Sequence, residues 1–240
     1  MKTLLLGAGR SGLGAAQVLA QNHQVRLINE HPFQEMELLR SKGIEVLIQS
    51  FEEVDFSWAD RVYKAPGIPF EKEGVHFYNE IELASEYAPD YHLYAITGSN
   101  GKTTTTTLTE KMLQKKDSKS FAAGNIGYAL SQAILDKGNF PVSVALEISA
   151  FQLDGLDAVS FEYGAILNLS PDHLDRYDSK EAYYASKLKI FDYAKKVLIN
   201  VDEEELFKYH DHPRALTLSL EKDADIYFVN NTLHILDEAK

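Results

Sequence analysis

The 240-residue sequence predicts an α/β protein with parallel sheets, on the basis of three observations. Short apolar runs alternate with amphipathic segments, which favours parallel strands joined by crossover helices. Two glycine-rich loops, at residues 7–12 and 97–103, each follow an apolar run and precede a helical segment. The stretch "APDYH" at 88–92 interrupts the alternation, which then restarts. We therefore predict a Rossmann-like domain over residues 1–89 and a P-loop-type α/β domain over residues 90–240.

The first domain is predicted from buried strands separated by helices. The run "KTLLLGAG" is a strand that ends in glycines, and Leu13, Val18 and Leu19 give the following segment an apolar helical face. The predicted strands are residues 2–9, 24–29, 44–49 and 61–67, and the predicted helices are residues 11–21, 33–43 and 79–87.

The second domain repeats this alternation and ends in a different pattern. Its tail alternates apolar and polar residues as antiparallel strands do, with a hairpin turn predicted at Asn230 and Asn231. The predicted strands are residues 92–97, a segment near Ser120, 142–147, 163–169, 197–201, 214–220, 225–229 and 232–236. Three helices are predicted: one that starts at Lys102, one over 126–137 and one over 179–196.

The composition excludes several classes of function. A net charge of −12 argues against non-specific nucleic-acid binding, which needs a basic face. The absence of cysteine excludes disulfides, thiolate zinc sites and cysteine nucleophiles. No apolar run approaches the ~20 residues of a membrane span, and the N-terminal apolar run is too short for a signal peptide. We expect a cytoplasmic protein with neither a nucleic-acid nor a membrane partner.

The first glycine loop matches the pattern G-x-G-x-x-G with Gly7, Gly9 and Gly12. Such glycines allow a tight turn and bring backbone amides close to an anionic group at a helix N-terminus. Glu30 lies about twenty residues further on, where a dinucleotide enzyme places its ribose-binding acid. The pattern is therefore compatible with a nicotinamide-dependent oxidoreductase, with another nucleotide site, or with a turn that binds no ligand.

The second glycine loop, "TGSNGKT" at 97–103, is the stronger candidate for a phosphate site. It departs from the general pattern G-x-x-x-x-G-K-[ST], because Ile96 occupies the first glycine position. The groups that bind phosphate are nevertheless present. The amides from Gly98 to Lys102 can form an anion nest, Lys102 can reach terminal phosphates, and Thr103 can hold Mg²⁺.

Charged residues at the ends of later strands are candidates for metal binding and catalysis. Glu147 ends the apolar run "VSVAL", at the carboxyl end of a predicted buried strand. His173 stands in "NLSPDHLDR" after the next strand, where a histidine is either structural or a metal ligand. Lys187 and Lys189 lie on a predicted helix, where lysines are usually solvated.

Eight stretches together resemble one family, the Mur ligases of peptidoglycan synthesis. In chain order they are "GAGRSG", "APGIP", "NEIEL", "TGSNGKTTT", "GNIG", "LEISAFQL", "LNLSPDHLDRY" and "YYASKLKIF". The sequence is most similar to the members that use ATP to join D-glutamate to UDP-N-acetylmuramoyl-L-alanine through an acyl phosphate.

The resemblance implies roles for residues of the second domain. Lys187 matches a lysine that CO₂ carbamylates, so we predict a partly buried lysine with a lowered pKa. The catalytic residues would be Lys102, Glu147, His173 and Lys187. The Mg²⁺ ligands would be Thr103, Glu147, His173 and Lys187. The ATP-binding residues would be Gly98, Ser99, Asn100, Gly101, Lys102, Thr103 and Thr104.

The resemblance also implies that the first glycine loop binds UDP rather than NAD. The uracil-contacting acid of the family aligns with Asn29, or with Glu30 if the register slips, and Asn125 matches the residue that faces the UDP-sugar and acceptor end. The remaining substrate-binding residues would be Gly9, Arg10, Ser11, Gly12 and Gly67.

The sequence departs from the family in two motifs and in length. "SPG" becomes "APG" at 65–67 and "ELSSFQL" becomes "EISAFQL" at 147–153, each with the loss of a hydroxyl group. The family carries a third, C-terminal domain that captures the amino acid. We expect this chain to lack that domain and to be unable to complete ligation on its own; a non-catalytic nucleotide-sugar-binding module is the alternative.

Overall fold

The computed structural model describes residues 1–172, 175–221, 224–230 and 232–236, and it confirms the α/β class. Within these residues no helix combines the length and the apolar character that crossing a bilayer requires. The strands are β1 (Lys2–Leu6), β2 (Gln24–Asn29), β3 (Glu45–Ile48), β4 (Arg61–Lys64), β5 (Phe77–Tyr78), β6 (Tyr91–Thr97), β7 (Phe121–Gly124), β8 (Val142–Glu147), β9 (Tyr163–Ile166), β10 (Val197–Asn200), β11 (Ala215–Ser219), β12 (Ile226–Val229) and β13 (Thr232–Ile235). The helices are α1 (Arg10–Leu19), α2 (Met36–Ser41), α3 (Leu83–Tyr87), α4 (Lys102–Lys116), α5 (Leu130–Lys137), α6 (Ala150–Asp154), α7 (Lys180–Leu188), α8 (Ile190–Tyr193) and α9 (Glu204–Phe207).

The contacts within the chain group it into two compact units. The first unit comprises residues 1–91 together with 123–141 and 154–159. The second unit comprises residues 92–122, 142–153 and the residues described from 160 onward. The predicted ranges 1–89 and 90–240 therefore differ from these units chiefly in the two later segments that pack with the first unit.

The first unit contains a parallel sheet with the strand order β3-β2-β1-β4-β5. Leu4, Leu5 and Leu6 of β1 are all almost fully buried, which is the pattern of a strand covered on both faces. One of these faces packs on Phe51, Phe70 and other apolar residues of the same unit. The strand order reverses at β1, because β2 and β4 lie on opposite sides of it. Ligands of such sheets bind at the carboxyl ends of the strands beside this reversal.

The second unit contains a mostly parallel sheet with the order β13-β12-β11-β10-β9-β6-β8-β7. Strand β6 pairs in parallel with β9, and β9 in parallel with β10. After the end of β8, the N–H of Ile148 donates to the carbonyl of Ile96 near the end of β6 (3.0 Å). The second glycine loop, Glu147 and the segment after β9 therefore leave the sheet at one edge.

The predicted antiparallel tail is only partly correct. Strands β12 and β13 are antiparallel, and Asn230 has the positive φ of 49° expected in a turn, whereas Asn231 lies outside the described residues. Strands β10, β11 and β12, however, run parallel to one another. On the β11 side, β12 pairs with Leu218 and Ser219, the last residues of that strand, so a short connection between the two strands suffices. Alternation of apolar and polar residues reports a half-buried face and does not report strand direction.

Helix α5 starts at Leu130, four residues later than the predicted start at 126. The residues before it form a loop in which Gly127 has a φ of 99°, a value that a right-handed helix does not contain. The predicted helix over 179–196 is divided into α7 and α8.

Candidate functional site

The first glycine loop joins β1 to α1 at the carboxyl end of the central strand of its sheet. Gly7 has a φ of 96°, and a Cβ atom on Gly12 would lie 2.1 Å from the Gly7 carbonyl oxygen, so side chains are excluded at both positions. A Cβ on Gly9, in contrast, would meet no described atom within 4 Å. Gly9 is also the N-cap of α1 and provides no side-chain capping hydrogen bond. The backbone at Gly9 is therefore accessible. It lies beside the first N–H groups of α1, which can donate hydrogen bonds to an anion.

Alanine substitutions at Gly7 and Gly9 form a matched pair. We expect Gly7→Ala to lower the free energy of unfolding by about 2 kcal/mol, because the backbone has a positive φ. The new Cβ would also lie 2.3 Å from Cδ1 of Ile68. We expect Gly9→Ala to change the free energy of unfolding by less than about 0.5 kcal/mol. Urea unfolding of the two variants measures the difference, and equal losses would contradict the distinction.

Other predicted binding residues of the first unit gather at the same edge. The Asn29 side chain accepts a hydrogen bond from the N–H of Ala8 (3.0 Å) and donates to the carbonyl of His31 (2.7 Å). Asn29 therefore holds the loop, whereas Glu30 next to it is exposed. Gly67 is exposed in the turn after β4. The N–H of Ala65, the first residue of that turn, donates to the carbonyl of Leu6 at the end of β1 (3.0 Å).

The segment "GNIG" lies beside the first glycine loop. The Arg10 guanidinium donates to the carbonyl of Gly127 (3.2 Å), and the Ser131 hydroxyl at the start of α5 donates to the carbonyl of Ser11 (3.1 Å). Asn125 is exposed in the same segment. The sequence places Asn125 in the second domain, but its segment packs with the first unit. Arg10, Ser11 and Asn125 thus belong to one surface.

The second glycine loop joins β6 to α4. Gly98 has a φ of 155°, and a Cβ there would lie 3.0 Å from Cβ of Leu167. Gly101 is the N-cap of α4 with a φ of 80° and supplies no side-chain cap. The first N–H groups of a helix have no partner within the helix. Those of Lys102, Thr103 and Thr104 are therefore oriented to bind an anion.

Two residues that the sequence interpretation missed, Asn168 and Ser170, hold this loop. The N–H of Ser99 donates to the Asn168 carbonyl (3.1 Å), and the N–H of Asn100 to its Oδ1 (2.9 Å). The Ser99 hydroxyl donates to the carbonyl of Ser170 (2.7 Å). The amides of Ser99 and Asn100 are thus already used, which narrows the predicted nest to the N–H groups from Gly101 onward. The sequence did contain a signal for these two residues. Asn168 and Ser170 belong to "NLS", which follows β9, and parallel pairing brings the end of β9 beside the end of β6.

Thr103 and Glu147 bring a hydroxyl oxygen and a carboxylate together at the end of β8. The Thr103 hydroxyl donates to a carboxylate oxygen of Glu147 (2.7 Å), and Glu147 is only 2% exposed. Hydroxyl and carboxylate oxygens are ligands that Mg²⁺ accepts, and Mg²⁺ keeps several waters or phosphate oxygens besides. The pair therefore fits a magnesium ion. His173 lies outside the described residues, and among those described no group of three or more histidine or carboxylate side chains is placed to hold a metal ion.

Two lysines converge on the same carbonyl oxygen. Lys102 donates to the carbonyls of Gly98 (2.8 Å) and Ser99 (3.0 Å), and Lys187 donates to that of Gly98 (3.1 Å). Lys187 is fully buried, although lysines on helices are usually solvated. Lys102 therefore places a positive charge at the loop, which suits a polyanion, and Lys187 lies beside it.

The pKa of Lys187 is lowered to about 7, first by burial and then by the positive charge of Lys102. Asp172 acts in the opposite direction, and the ring of Tyr183, 4.4 Å from Nζ, also favours the charged form. The predicted buried lysine with a lowered pKa is thus confirmed, with burial that is complete rather than partial. Near neutral pH a substantial fraction of the amine is uncharged and nucleophilic.

The family profile described as "Mur ligase middle domain" matches residues 96–237. The chain is 39% identical over 220 residues to the UDP-N-acetylmuramoylalanine--D-glutamate ligase of Koribacter versatilis, covering 85% of this chain and 48% of that protein. It is 32% identical to the enzyme of the same name from Exiguobacterium sibiricum, covering 98% of this chain and 55% of the relative. The chain thus spans about half the length of the curated relatives it matches.

Solved structures with the same fold include two further enzymes. The murein peptide ligase of Psychrobacter arcticus aligns with a TM-score of 0.57 at 12% identity, covering 100% of this chain and 59% of its own. The UDP-N-acetylmuramate-alanine ligase of Thermotoga maritima aligns with a TM-score of 0.51 at 22% identity, covering 95% and 54%. At these identities the likeness concerns the fold.

Proposed function

The chain belongs to the Mur ligase family, and on that premise we propose that it acts in the ATP-dependent joining of D-glutamate to UDP-N-acetylmuramoyl-L-alanine in the cytoplasm. The observation that carries the proposal is the arrangement around Gly98. There, Lys102 and the buried Lys187 share one carbonyl oxygen beside the Thr103–Glu147 pair. Phosphoryl transfer uses a lysine at the phosphates together with oxygen ligands for Mg²⁺, whereas an oxidoreductase would leave these groups without a shared role.

Each glycine loop receives one nucleotide in this proposal. The first loop holds UDP through the accessible backbone at Gly9, and Arg10 and Asn125 lie on the same surface. The second loop holds the ATP phosphates through the N–H groups at the start of α4 and through Lys102. The three residues that present these N–H groups, Lys102, Thr103 and Thr104, also have ammonium or hydroxyl side chains that can add hydrogen bonds.

The reaction proceeds in two displacements. The terminal carboxylate of UDP-N-acetylmuramoyl-L-alanine attacks the γ-phosphorus of ATP, the bond to the β-phosphate oxygen breaks, and ADP leaves. The amine of D-glutamate then attacks the carbonyl carbon of the acyl phosphate, loses a proton, and inorganic phosphate leaves as the amide forms. Lys102 and the amides at the start of α4 stabilise the negative charge that accumulates on the transferred group.

Thr103 and Glu147 would hold one Mg²⁺. The resemblance implies that His173 would bind a second Mg²⁺ near the acceptor carboxylate, and that a carbamylated Lys187 would help to fix magnesium. Bound magnesium supplies charge neutralisation between two reacting anions. For the carbamate, the neutral Lys187 amine attacks CO₂ and releases one proton, so that an uncharged amine becomes an anion. The burial of Lys187 and its pKa of about 7 support this step at neutral pH.

Calorimetric titration with UDP-N-acetylmuramoyl-L-alanine and, separately, with NADH tests the proposal. We expect the nucleotide sugar to bind and NADH not to bind, and Gly9→Ala to weaken the nucleotide sugar about tenfold by obstructing the backbone. Binding of NADH alone would contradict the proposal and favour the oxidoreductase. Binding of the nucleotide sugar without any binding of ATP would favour the non-catalytic module. Whether the 240 residues alone complete ligation stays a prediction, to be tested by incorporation of labelled D-glutamate.

A further inference from the structure

Glu80 is a buried carboxylate that has no role in the chemistry above. It is 4% exposed, in the 3-10 turn that precedes α3. Among the described residues, no lysine, arginine or histidine forms an ion pair with it. Burial raises its pKa, and hydrogen bonds from Ser131 and Leu130 oppose that change. Burying a carboxylate without a cation is costly, so the hydrogen bonds of Glu80 must compensate.

These hydrogen bonds come from the first turn of α5. The N–H of Ser131 donates to Glu80 Oε2 (2.7 Å), and the N–H of Leu130 is a further donor. The N-cap residue of α5 is Ala129, which has no side chain able to cap. Glu80 therefore replaces the missing cap from a distant part of the chain, and its charge suits the positive end of the helix.

The start of α5 is also attached to the first glycine loop. The Ser131 hydroxyl donates to the carbonyl of Ser11, and a Cβ atom on Gly14 would lie only 2.5 Å from that hydroxyl. Four residues before Ser131, the carbonyl of Gly127 accepts from Arg10. The loop that carries Asn125 therefore lies between two attachments, Glu80 at the helix start and Arg10 at the glycine loop.

We propose that Glu80 is a positioning residue that holds the loop at 124–129 at a fixed place beside the first glycine loop, so that both loops bind one nucleotide sugar. The first loop binds the uridine diphosphate, and Asn125 binds the sugar and acceptor end. This inference rests on the proposed function, because that function supplies the ligand. It predicts that Glu80 affects the sugar end of the ligand and not the uridine diphosphate end.

Glu82 provides a matched control in the same turn. It is 8% exposed and, like Glu80, its carboxylate accepts hydrogen bonds from backbone N–H groups, those of Asn79 (3.1 Å), Asp157 (2.9 Å) and Ala158 (3.1 Å). Two of these bonds fix the segment at 157–158, the third caps the turn that carries Glu80, and none reaches the loop at 124–129. Loss of Glu82 therefore removes a comparable structural anchor and leaves the hydrogen bonds from Ser131 and Leu130 to Glu80 in place.

The experiment compares Glu80→Ala, Glu80→Gln, Glu82→Ala and Glu82→Gln in the full chain. Calorimetry measures the affinity for UDP-N-acetylmuramoyl-L-alanine and for UDP, and hydrogen exchange measures the protection of residues 124–131. For Glu80→Ala we expect the nucleotide-sugar affinity to fall about tenfold while UDP affinity stays within about twofold. Exchange at 124–131 should become faster. Glu80→Gln, which keeps one acceptor oxygen, should fold and show an intermediate loss, and the Glu82 variants should leave the ratio of the two affinities unchanged.

Three outcomes would overturn the inference: equal losses for both ligands, an unchanged ratio despite faster exchange, or the same ratio change in the Glu82 variants. Failure of the proposed function has a different signature, because the unmodified chain would then not bind the nucleotide sugar. In that case the exchange rates of 124–131 decide whether Glu80 holds the loop.

Discussion

Replacing Lys102 with methionine is expected to lower the affinity for ATP at least about 100-fold, which corresponds to about 3 kcal/mol. In the structure the ammonium group donates to the carbonyls of Gly98 and Ser99, so it lies over the loop, and its third N–H donates to none of the described residues. Methionine preserves the length of the side chain but supplies neither donor nor charge. Calorimetric titration with ATP and Mg²⁺ measures the loss.

The control for this substitution is Lys111→Met. Lys111 is exposed on the same helix, and its replacement changes the net charge of the chain equally. We expect Lys111→Met to retain the ATP affinity within about twofold, and both variants to bind UDP-N-acetylmuramoyl-L-alanine normally. ATP binding by Lys102→Met at the strength of the original chain would show that the loop is not the phosphate site.

Replacing Lys187 with methionine is expected to raise the free energy of unfolding by about 2 kcal/mol near neutral pH in buffer freed of CO₂. The pKa of Lys187 is about 7 in the folded chain, below the ordinary lysine value of 10.5. Between these two values the unfolded chain holds a proton that the folded chain lacks, so stability falls as the pH falls through this window. Methionine removes that dependence. Urea unfolding of the original chain and of Lys187→Met, near pH 7 and near pH 9, measures the gain in stability and the loss of its pH dependence. If the stability of both proteins changed equally between these pH values, the prediction would be contradicted.

The same variant tests the carbamate. With carbon-13-labelled bicarbonate we expect a carbamate resonance in the original chain that grows as the pH rises through about 7, where the amine of Lys187 loses its proton. The resonance should be absent from Lys187→Met and present in Lys189→Met, which changes a lysine two residues further along. A resonance that survives in Lys187→Met would place the carbamate elsewhere.

The glycine loops and Glu147 could be predicted from the sequence because their positions depend on local order. A strand followed by glycines and a helix specifies a backbone turn, and a carboxylate that ends an apolar run lies at a strand end. Both expectations needed only the parallel arrangement of strands, which the alternation of segments predicts. The direction of β11 and β12 could not be obtained in this way, because it depends on pairing between strands.

The residues that sequence reasoning missed act through distant partners. Asn168 and Ser170 bond to a loop that lies far from them in the chain, and Glu80 caps a helix that starts at Leu130. None of these residues belongs to a pattern of fixed spacing. The burial of Lys187 was predicted only through the family resemblance, because spacing along a helix would leave that lysine solvated.

The central claim is that the two glycine loops bind two different nucleotides, and amide resonances of the isotopically labelled chain test it most directly. On titration with a non-hydrolysable ATP analogue and Mg²⁺, we expect the amides of Gly101, Lys102, Thr103 and Thr104 to shift while those of residues 9–12 stay in place. UDP-N-acetylmuramoyl-L-alanine should produce the opposite pattern, with shifts at residues 9–12 and at Asn125. Shifts by both ligands at the same loop, or a response of residues 9–12 to the ATP analogue alone, would contradict the account.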